Sequence, residues 1–307
     1  MNTYRDRALE KLRLADVFPE WRVREQTLLP PHHPGQASYV WKVSTVKGPA
    51  IVRAPRFTYP PDEDFWQGAL RLFDVSTVRG ERLTTINPWL SARIPFTVPS
   101  VLATARFQAR SFVLENWLPG ATLHAFDSLS NRAMEALGTM VAQLHQERST
   151  VFGANPADPW QGFPMATFPS RLEATLRYLL RRYYRRDLKA WRHLRLALAD
   201  LAHLRFEAAV PLLLDMEPSQ FLTHAGEITA LVDTELYVRG PAELELAGLE
   251  LLLTSTTAKP FCRGYRRIEP LPILSPSRRL FRVLLRLLSF QGPVDWDDWM
   301  EKPTFFA

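Results

Sequence analysis

Between Val210 and Leu253 the chain reads VPLLLDMEPSQFLTHAGEITALVDTELYVRGPAELELAGLELLL. An apolar run leads into Asp215, Gln220 follows five residues later, and a second apolar run leads into Asp233. Short apolar runs of this kind read as buried strands. A buried strand that ends in a carboxylate must give that charge a partner, because an unpaired buried charge is costly. Two such strands deliver two acids to one shared site. One acid to orient a hydroxyl and one to hold a metal ion is the arrangement that phosphoryl transfer uses. The bland alternatives are a turn or capping role for Asp215, a plain loop role for Gln220, and a salt bridge from Asp233 to Arg53 or another base.

The 307 residues are enough for one large domain or for two lobes around a cleft. The formal net charge of +6 favours anionic partners. A single cysteine, Cys262, excludes an internal disulfide and a cysteine-cluster metal site, and it fits a reducing compartment. The opening MNTYRDRALEKLRL is charged and lacks the apolar centre of a signal peptide. No uninterrupted apolar stretch is long enough to span a bilayer, so the expected location is cytoplasmic. The patterns GxxxxGK(S/T), GxSxG and HExxH are absent, which leaves P-loop, serine-hydrolase and zincin chemistry without support.

Along the chain, residues 3–17 read as an amphipathic helix with Leu9, Leu12 and Leu14 near one face. Tyr39–Val43 and Ala50–Arg53 are aromatic and β-branched, with turns at Pro30-Pro31, Pro34-Gly35 and Lys47-Gly48-Pro49, and they predict a small antiparallel sheet. A helix is expected from Asp62 to Leu72, and strands near Val101–Arg106 and Ser111–Glu115. After the connector NWLPGATL the pattern turns helical, with Met134, Leu137, Val141 and Leu144 on one face. One or two Arg-rich helices are expected over 171–206, two short strands around Asp215 and Asp233, and helices near 242–254 and 276–289. A strand-rich first third followed by a helical remainder is an α+β chain with its boundary near Trp117.

On these residues the chain resembles the aminoglycoside phosphotransferase family, a branch of the protein-kinase-like fold that also includes choline and fructosamine kinases. That family reads HGDxxxxN and then a strand ending in D-W-E; here the frame is Leu213-Leu214-Asp215, then Gln220, then Asp233-Thr234-Glu235. The loop from Gly35 through Ser38 to Val43 resembles the family's GGxSNxxYxV turn. The run Phe112 to Gly120 resembles its hinge, LLMEYLPG, and Leu137–His145 its LGxxLAxLH helix. Gly240 to Ala247 partly matches its GDPAxDLA, which gives Glu245 a structural role tying the catalytic loop. The match covers roughly residues 21–255.

The resemblance implies a two-lobed kinase-like fold, with a nucleotide-covering sheet lobe over 1–116 and a helical lobe over 117–307 that holds the catalytic loop and the acceptor region. It implies ATP and Mg²⁺ as cofactors, Asp215 as the catalytic base, and Gln220 and Asp233 as metal ligands. It places Arg53, Gly35, Ser38, Glu115 and Trp117 around the nucleotide. The chain departs from the family at Arg53, where the family has Lys, and at Gln220, where it has Asn. The helix partner of Arg53 would be Glu63 or Gln67. Two functions follow: an ATP-dependent phosphotransferase that moves the γ-phosphate to a hydroxyl, or a pseudokinase that binds or scaffolds.

Arg181, Arg182, Arg185, Arg186 and Lys189 are interleaved with Tyr183 and Tyr184. In the family this region builds the acceptor pocket, so a basic version implies an anionic or neutral small-molecule acceptor rather than a polycationic aminoglycoside. Solvated arginines on a helix face are the plainer reading, and nucleic acid is not the expected partner. Near the C-terminus Arg278, Arg282 and Arg286 oppose Leu280, Leu284 and Leu287, with Ser275 and Pro276 at the expected start. Such a helix either packs on the large lobe or makes a peripheral membrane contact.

Overall fold

The computed structural model describes residues 9, 12–31, 36–76, 80–108 and 110–306. Most of the expected N-terminal helix lies outside them; its described part includes a single turn at Leu14–Val17. Five strands then form one antiparallel sheet: β1 (Glu25–Leu28), β2 (Ser38–Thr45), β3 (Gly48–Pro55), β4 (Val101–Phe107) and β5 (Arg110–Asn116), in the order β1-β2-β3-β5-β4. β2 and β3 pair along their whole length, from Ser38 opposite Pro55 to Thr45 opposite Gly48. Gly48 takes the left-handed φ of 115° that closes this hairpin.

Strand alternation decides which residues face the cleft. Tyr39, Trp41, Val43, Val52, Ala54, Phe112 and Leu114 form a small core, covered by Leu9, Leu12, Leu14, Val17 and Phe18. Arg53 pairs with Val40 on one side and Val113 on the other, so it stands on the opposite face from Val52. Glu115, two residues beyond Val113, shares that face.

A second and larger core gathers the remaining elements. Helices α1 (Asp64–Phe73) and α2 (Leu83–Ser91) lie in the sequence of the sheet region, yet Trp66, Leu72, Phe73, Ile86 and Leu90 belong to this larger core. Gly68 of α1 sits against Leu288 and Leu179. The helical part contains α3 (Asn131–His145), α4 (Phe168–Tyr183), α5 (Leu188–Leu201), α6 (Ala242–Leu252), α7 (Ser255–Arg266), α8 (Arg278–Leu287) and α9 (Trp296–Met300). The Arg-rich stretch is thus two helices, broken at Tyr184–Asp187, with Asp187 capping the second through Ala190.

Small sheets set the loops of the cleft. β6 (Ala121–Thr122) pairs with β9 (Phe221–His224), which forms a hairpin with β10 (Glu227–Leu231); β8 (Val210–Leu213) pairs with β11 (Tyr237–Gly240), while β7 (Val151–Phe152) pairs with residues 163–164. The expected strands around Asp215 and Asp233 are β8 and β10, and each ends two residues before its acid. The hairpin strand β9 was not foreseen, because FLTH alternates too briefly to stand out.

α8 begins at Arg278, so Ser275 and Pro276 do not start it. Its basic face is no membrane surface. Arg282 is 2 % exposed and donates to Glu250 and to the carbonyls of Met300, Lys302 and Pro303. Arg286 donates to Val294, and Arg278 to Glu250 and Phe306. The chain's own C-terminal segment covers this face, because a buried guanidinium can satisfy several carbonyls that would otherwise be orphaned.

α3 and α7 cross at glycines. A Cβ added at Gly138 would overlap the Phe261 carbonyl, and one at Gly264 would overlap the Glu135 carbonyl. Backbone cannot yield as a side-chain tip can. Gly138→Ala and Gly264→Ala should each destabilise the protein by about 1–3 kcal/mol or more, as overpacked cores do. Chemical denaturation checks this, and an unchanged midpoint would mean the helices are not held at this distance.

Candidate active site

The loop from Leu214 to Gln220 joins β8 to β9, and its turn is closed by its own side chains. The Gln220 amide oxygen accepts from the Glu217 N–H at 2.9 Å, and its amide nitrogen donates to the Asp215 carbonyl at 3.2 Å. The Gln220 carbonyl accepts from Val232 N–H at 2.7 Å, which brings the Asp233 segment alongside. Asp215 is only partly exposed, and its Oδ1 is enclosed without a hydrogen-bond partner. Burial raises its pKa well above the carboxylate range, the Asp233 charge adds to this, and Gln220 opposes it. Native proteins pair nearly all buried polar atoms, so an orphan acceptor needs a reason.

Asp233 has φ 61° and ψ 54°, the left-handed conformation that a non-glycine residue adopts rarely. That turn aims its carboxylate at Arg53, whose Nη2 donates to Oδ1 at 2.5 Å. Arg53 Nε lies 3.1 Å from Glu235 Oε1, so one guanidinium spans two acids. Burial works against the Arg53 charge, yet Asp233, Glu235 and Glu115 together hold its pKa above the ordinary value. The Ser38 hydroxyl reaches Glu235 at 3.4 Å. Gln67 bonds to the Pro61 carbonyl, and its helix α1 packs in the larger core. The acids at Arg53 therefore come from the 233–235 segment, and neither Glu63 nor Gln67 forms its ion pair.

Glu115 is 3 % exposed and accepts from Asn87 Nδ2 at 2.8 Å. Burial pushes its pKa up to about 7, against the pull of Arg53. Its side chain thus joins the cluster, beyond the backbone role that the hinge resemblance implies. Trp117 is half-buried and carries the Lys42 ammonium 4.4 Å from its ring centroid, a cation–π contact. Gly35 lies outside the described residues.

Sequence reasoning missed Asn87. It sits in α2, 1 % exposed, and also donates to the Pro99 carbonyl at 2.9 Å and accepts from the Thr234 hydroxyl. Its signal was a lone amide within the stretch LTTINPWL. Tyr237 was missed as well. It is fully buried, its hydroxyl has no partner, and the charges of Glu245 and Asp215 act on it. Behind the loop, Glu245 accepts from the Leu213 N–H at 2.7 Å and meets His145 Nε2 at 2.8 Å. His145 Nδ1 in turn meets the Tyr265 hydroxyl at 2.8 Å.

The basic stretch makes its contacts away from this loop. Arg182 and Tyr183 bind Asp62, Tyr184 binds Asp64 and Ser289, and Lys189 binds Asp295 and Asp297. Arg181, Arg185 and Arg186 have no acidic partner among the described residues. Among the described residues, no group of three or more His, Cys, Asp and Glu is placed to hold a metal ion. No described helix is long and apolar enough to cross a membrane.

The Glu115 carboxyl gives a test by pH. A carboxyl with a folded pKa of about 7 and an ordinary value of 4.5 binds more protons folded than unfolded between those values. Its contribution to stability therefore falls as pH rises through that window. Glu115→Gln keeps the Asn87 bond and removes the titration. The variant should gain stability relative to wild type from pH 4.5 to 7, with the difference level above. Denaturation midpoints against pH report this, and a flat difference would remove Glu115 from the titrating cluster.

The fold is similar to that of several solved phosphotransferases. APH(2")-IIia, in its GDP and kanamycin complex, is 13% identical with a TM-score of 0.61, over 92% of this chain and 90% of that chain. The macrolide 2'-phosphotransferase MphH from Brachybacterium faecium is 15% identical with a TM-score of 0.59, over 95% of this chain and 97% of that chain. A thermostable mutant of the aminoglycoside phosphotransferase APH(4)-Ia, in ternary complex with ADP and hygromycin B, is 14% identical with a TM-score of 0.59, over 89% and 90%. At these identities the likeness establishes the two-lobed kinase-like α+β fold and leaves the substrate open. No curated protein matches the chain. The sequence model of the phosphotransferase enzyme family matches residues 29–269, which is most of the chain, and the chain belongs to that family.

Proposed function

We propose that this chain is an ATP-dependent phosphotransferase that moves the γ-phosphate to a hydroxyl of a small molecule. One observation carries the reading: Asp215 keeps an enclosed carboxylate oxygen without a partner, in the loop position that family membership gives to the base. A hydroxyl that donates to this oxygen would satisfy it. Burial raises its pKa well above the carboxylate range, which makes its carboxylate a stronger base than an exposed one. In the transfer, the bond from the γ-phosphorus to the β,γ-bridging oxygen breaks and a bond to the acceptor oxygen forms. The acceptor's proton passes to Asp215. Arg53 and Ser38 would border the phosphates, and the backbone around Glu115 and Trp117 the adenine, with the lobe boundary near Trp117. ADP and GDP in related structures support a nucleotide here.

Mg²⁺ on Gln220 and Asp233 fits the residues poorly as they are placed. The Gln220 amide oxygen is taken by the Glu217 N–H, and Asp233 is taken by Arg53. Mg²⁺ demands near-ideal octahedral oxygen geometry, which one engaged carboxylate and one engaged amide do not offer. These same contacts favour a second reading, a pseudokinase that binds nucleotide and serves as a binding or scaffolding module. The unpaired Arg181, Arg185 and Arg186 support an anionic or neutral acceptor over a polycationic one. A cytoplasmic location fits a small-molecule kinase.

Asp215→Asn should lower turnover by about 10²–10⁴-fold, the contribution of a positioned base, and leave nucleotide affinity within about twofold. A coupled assay of ATP consumption over a panel of hydroxyl acceptors, with kanamycin beside phosphorylated sugars, measures it. Undiminished turnover in the variant would end the assignment of Asp215. Nucleotide binding without consumption on any acceptor would move the reading to the pseudokinase.

A further inference from the structure

We infer that Arg53 is the resident cation of this cleft and that nucleotide phosphate binds here without a divalent metal ion. The inference rests on the nucleotide reading above and deepens it. Arg53 is 13% exposed and is anchored on a strand paired on both sides. Its guanidinium lies between Asp233 at 2.5 Å and Glu235 at 3.1 Å, on carboxylates that come from one turn. The left-handed backbone at Asp233 is spent on that contact, and the Ser38 hydroxyl completes the surround of Glu235. Asp233 is 50% exposed, but a divalent ion that took its Oδ1 would have to displace the Arg53 guanidinium, which is 13% exposed, and a largely buried charge stripped of its partner is strongly disfavoured.

The other oxygen expected to hold a metal is committed as well. Both ends of the Gln220 amide close the turn of their own loop. Freeing the amide oxygen would break its bond to the Glu217 N–H. Meanwhile the same small sheet offers a further cation for phosphate: Lys42, two residues beyond Val40 and so on the face that carries Arg53, stands at Trp117. Arginine is suited to this role, since its planar fork grips two oxygens at once where lysine is a point charge. The shared chemistry is a polyphosphate anion held by fixed guanidinium and ammonium groups.

The test is calorimetric titration of the full chain with ATP, in excess EDTA and in Mg²⁺. The expected result is a dissociation constant that differs by less than about threefold between the two conditions. Arg53→Lys, which cannot span both acids, should bind about tenfold more weakly in EDTA and recover with Mg²⁺ as Asp233 is released. Thermal unfolding of the variant confirms that it is folded, and the wild-type comparison stands without it. Wild-type binding that weakens by about tenfold or more in EDTA overturns this inference alone. ATP that binds in neither condition overturns the nucleotide reading and this inference with it.

Discussion

One guanidinium joins the two halves of this molecule. Arg53 is carried by a strand whose apolar side belongs to the small core, and its two carboxylates belong to a segment held in the large core. Hydrophobic contact is non-directional, so packing alone would leave the halves free to slide. The Nη2 bond to Asp233 is directional, and the Glu235 charge 3.1 Å from Nε adds to it, so this contact fixes the distance between the halves. The surrounding acids are arranged to need that cation: burial raises the pKa of Glu235 and of Glu115, and Arg53 counteracts both.

The 233–235 segment is held from behind by groups that touch no Arg53 atom. Thr234 donates to Asn87, and Asn87 donates to Glu115, so the acids of the cleft are spaced by one amide on α2. On the other side, Arg82 donates to the Tyr237 carbonyl at 2.9 Å. His145, Glu245 and the Leu213 N–H hold the strand that leads into Asp215. Every one of these groups is buried or partly buried, where hydrogen bonds are stronger and unmade ones are costly. The loop can therefore leave a carboxylate oxygen of Asp215 unpartnered, because the neighbouring bonds fix its place.

Away from the cleft, the same physics builds the C-terminal half. Glu250 is buried and accepts from Arg278, Arg282 and the N–H groups of Phe305 and Phe306. Three arginines that look like a surface stripe in the sequence are the hooks on which the last segment hangs. The stretch around Arg182 and Lys189 behaves likewise in part: Asp62, Asp295 and Asp297, distant in sequence, neutralise it.

The sequence by itself determined the α+β order, the two strands that lead to Asp215 and Asp233, the hairpin that carries Arg53, and the family. These are local or one-dimensional properties: apolar period, turn residues and motif spacing survive divergence because each stretch must still pack. The family resemblance also gave Glu245 a structural role at the loop that carries Asp215, and its bond to the Leu213 N–H fits that role. Only the tertiary structure decided what each charge meets. It gave Asp233 to Arg53, turned the Gln220 amide back on its own loop, put Asn87 between Thr234 and Glu115, and laid the chain's end over Arg282. Partners such as Arg53 and Asp233 lie 180 residues apart, and a charge carries no label for its partner. Pairing is settled by which face of which strand the packing turns toward the cleft, and that is a property of the assembled fold.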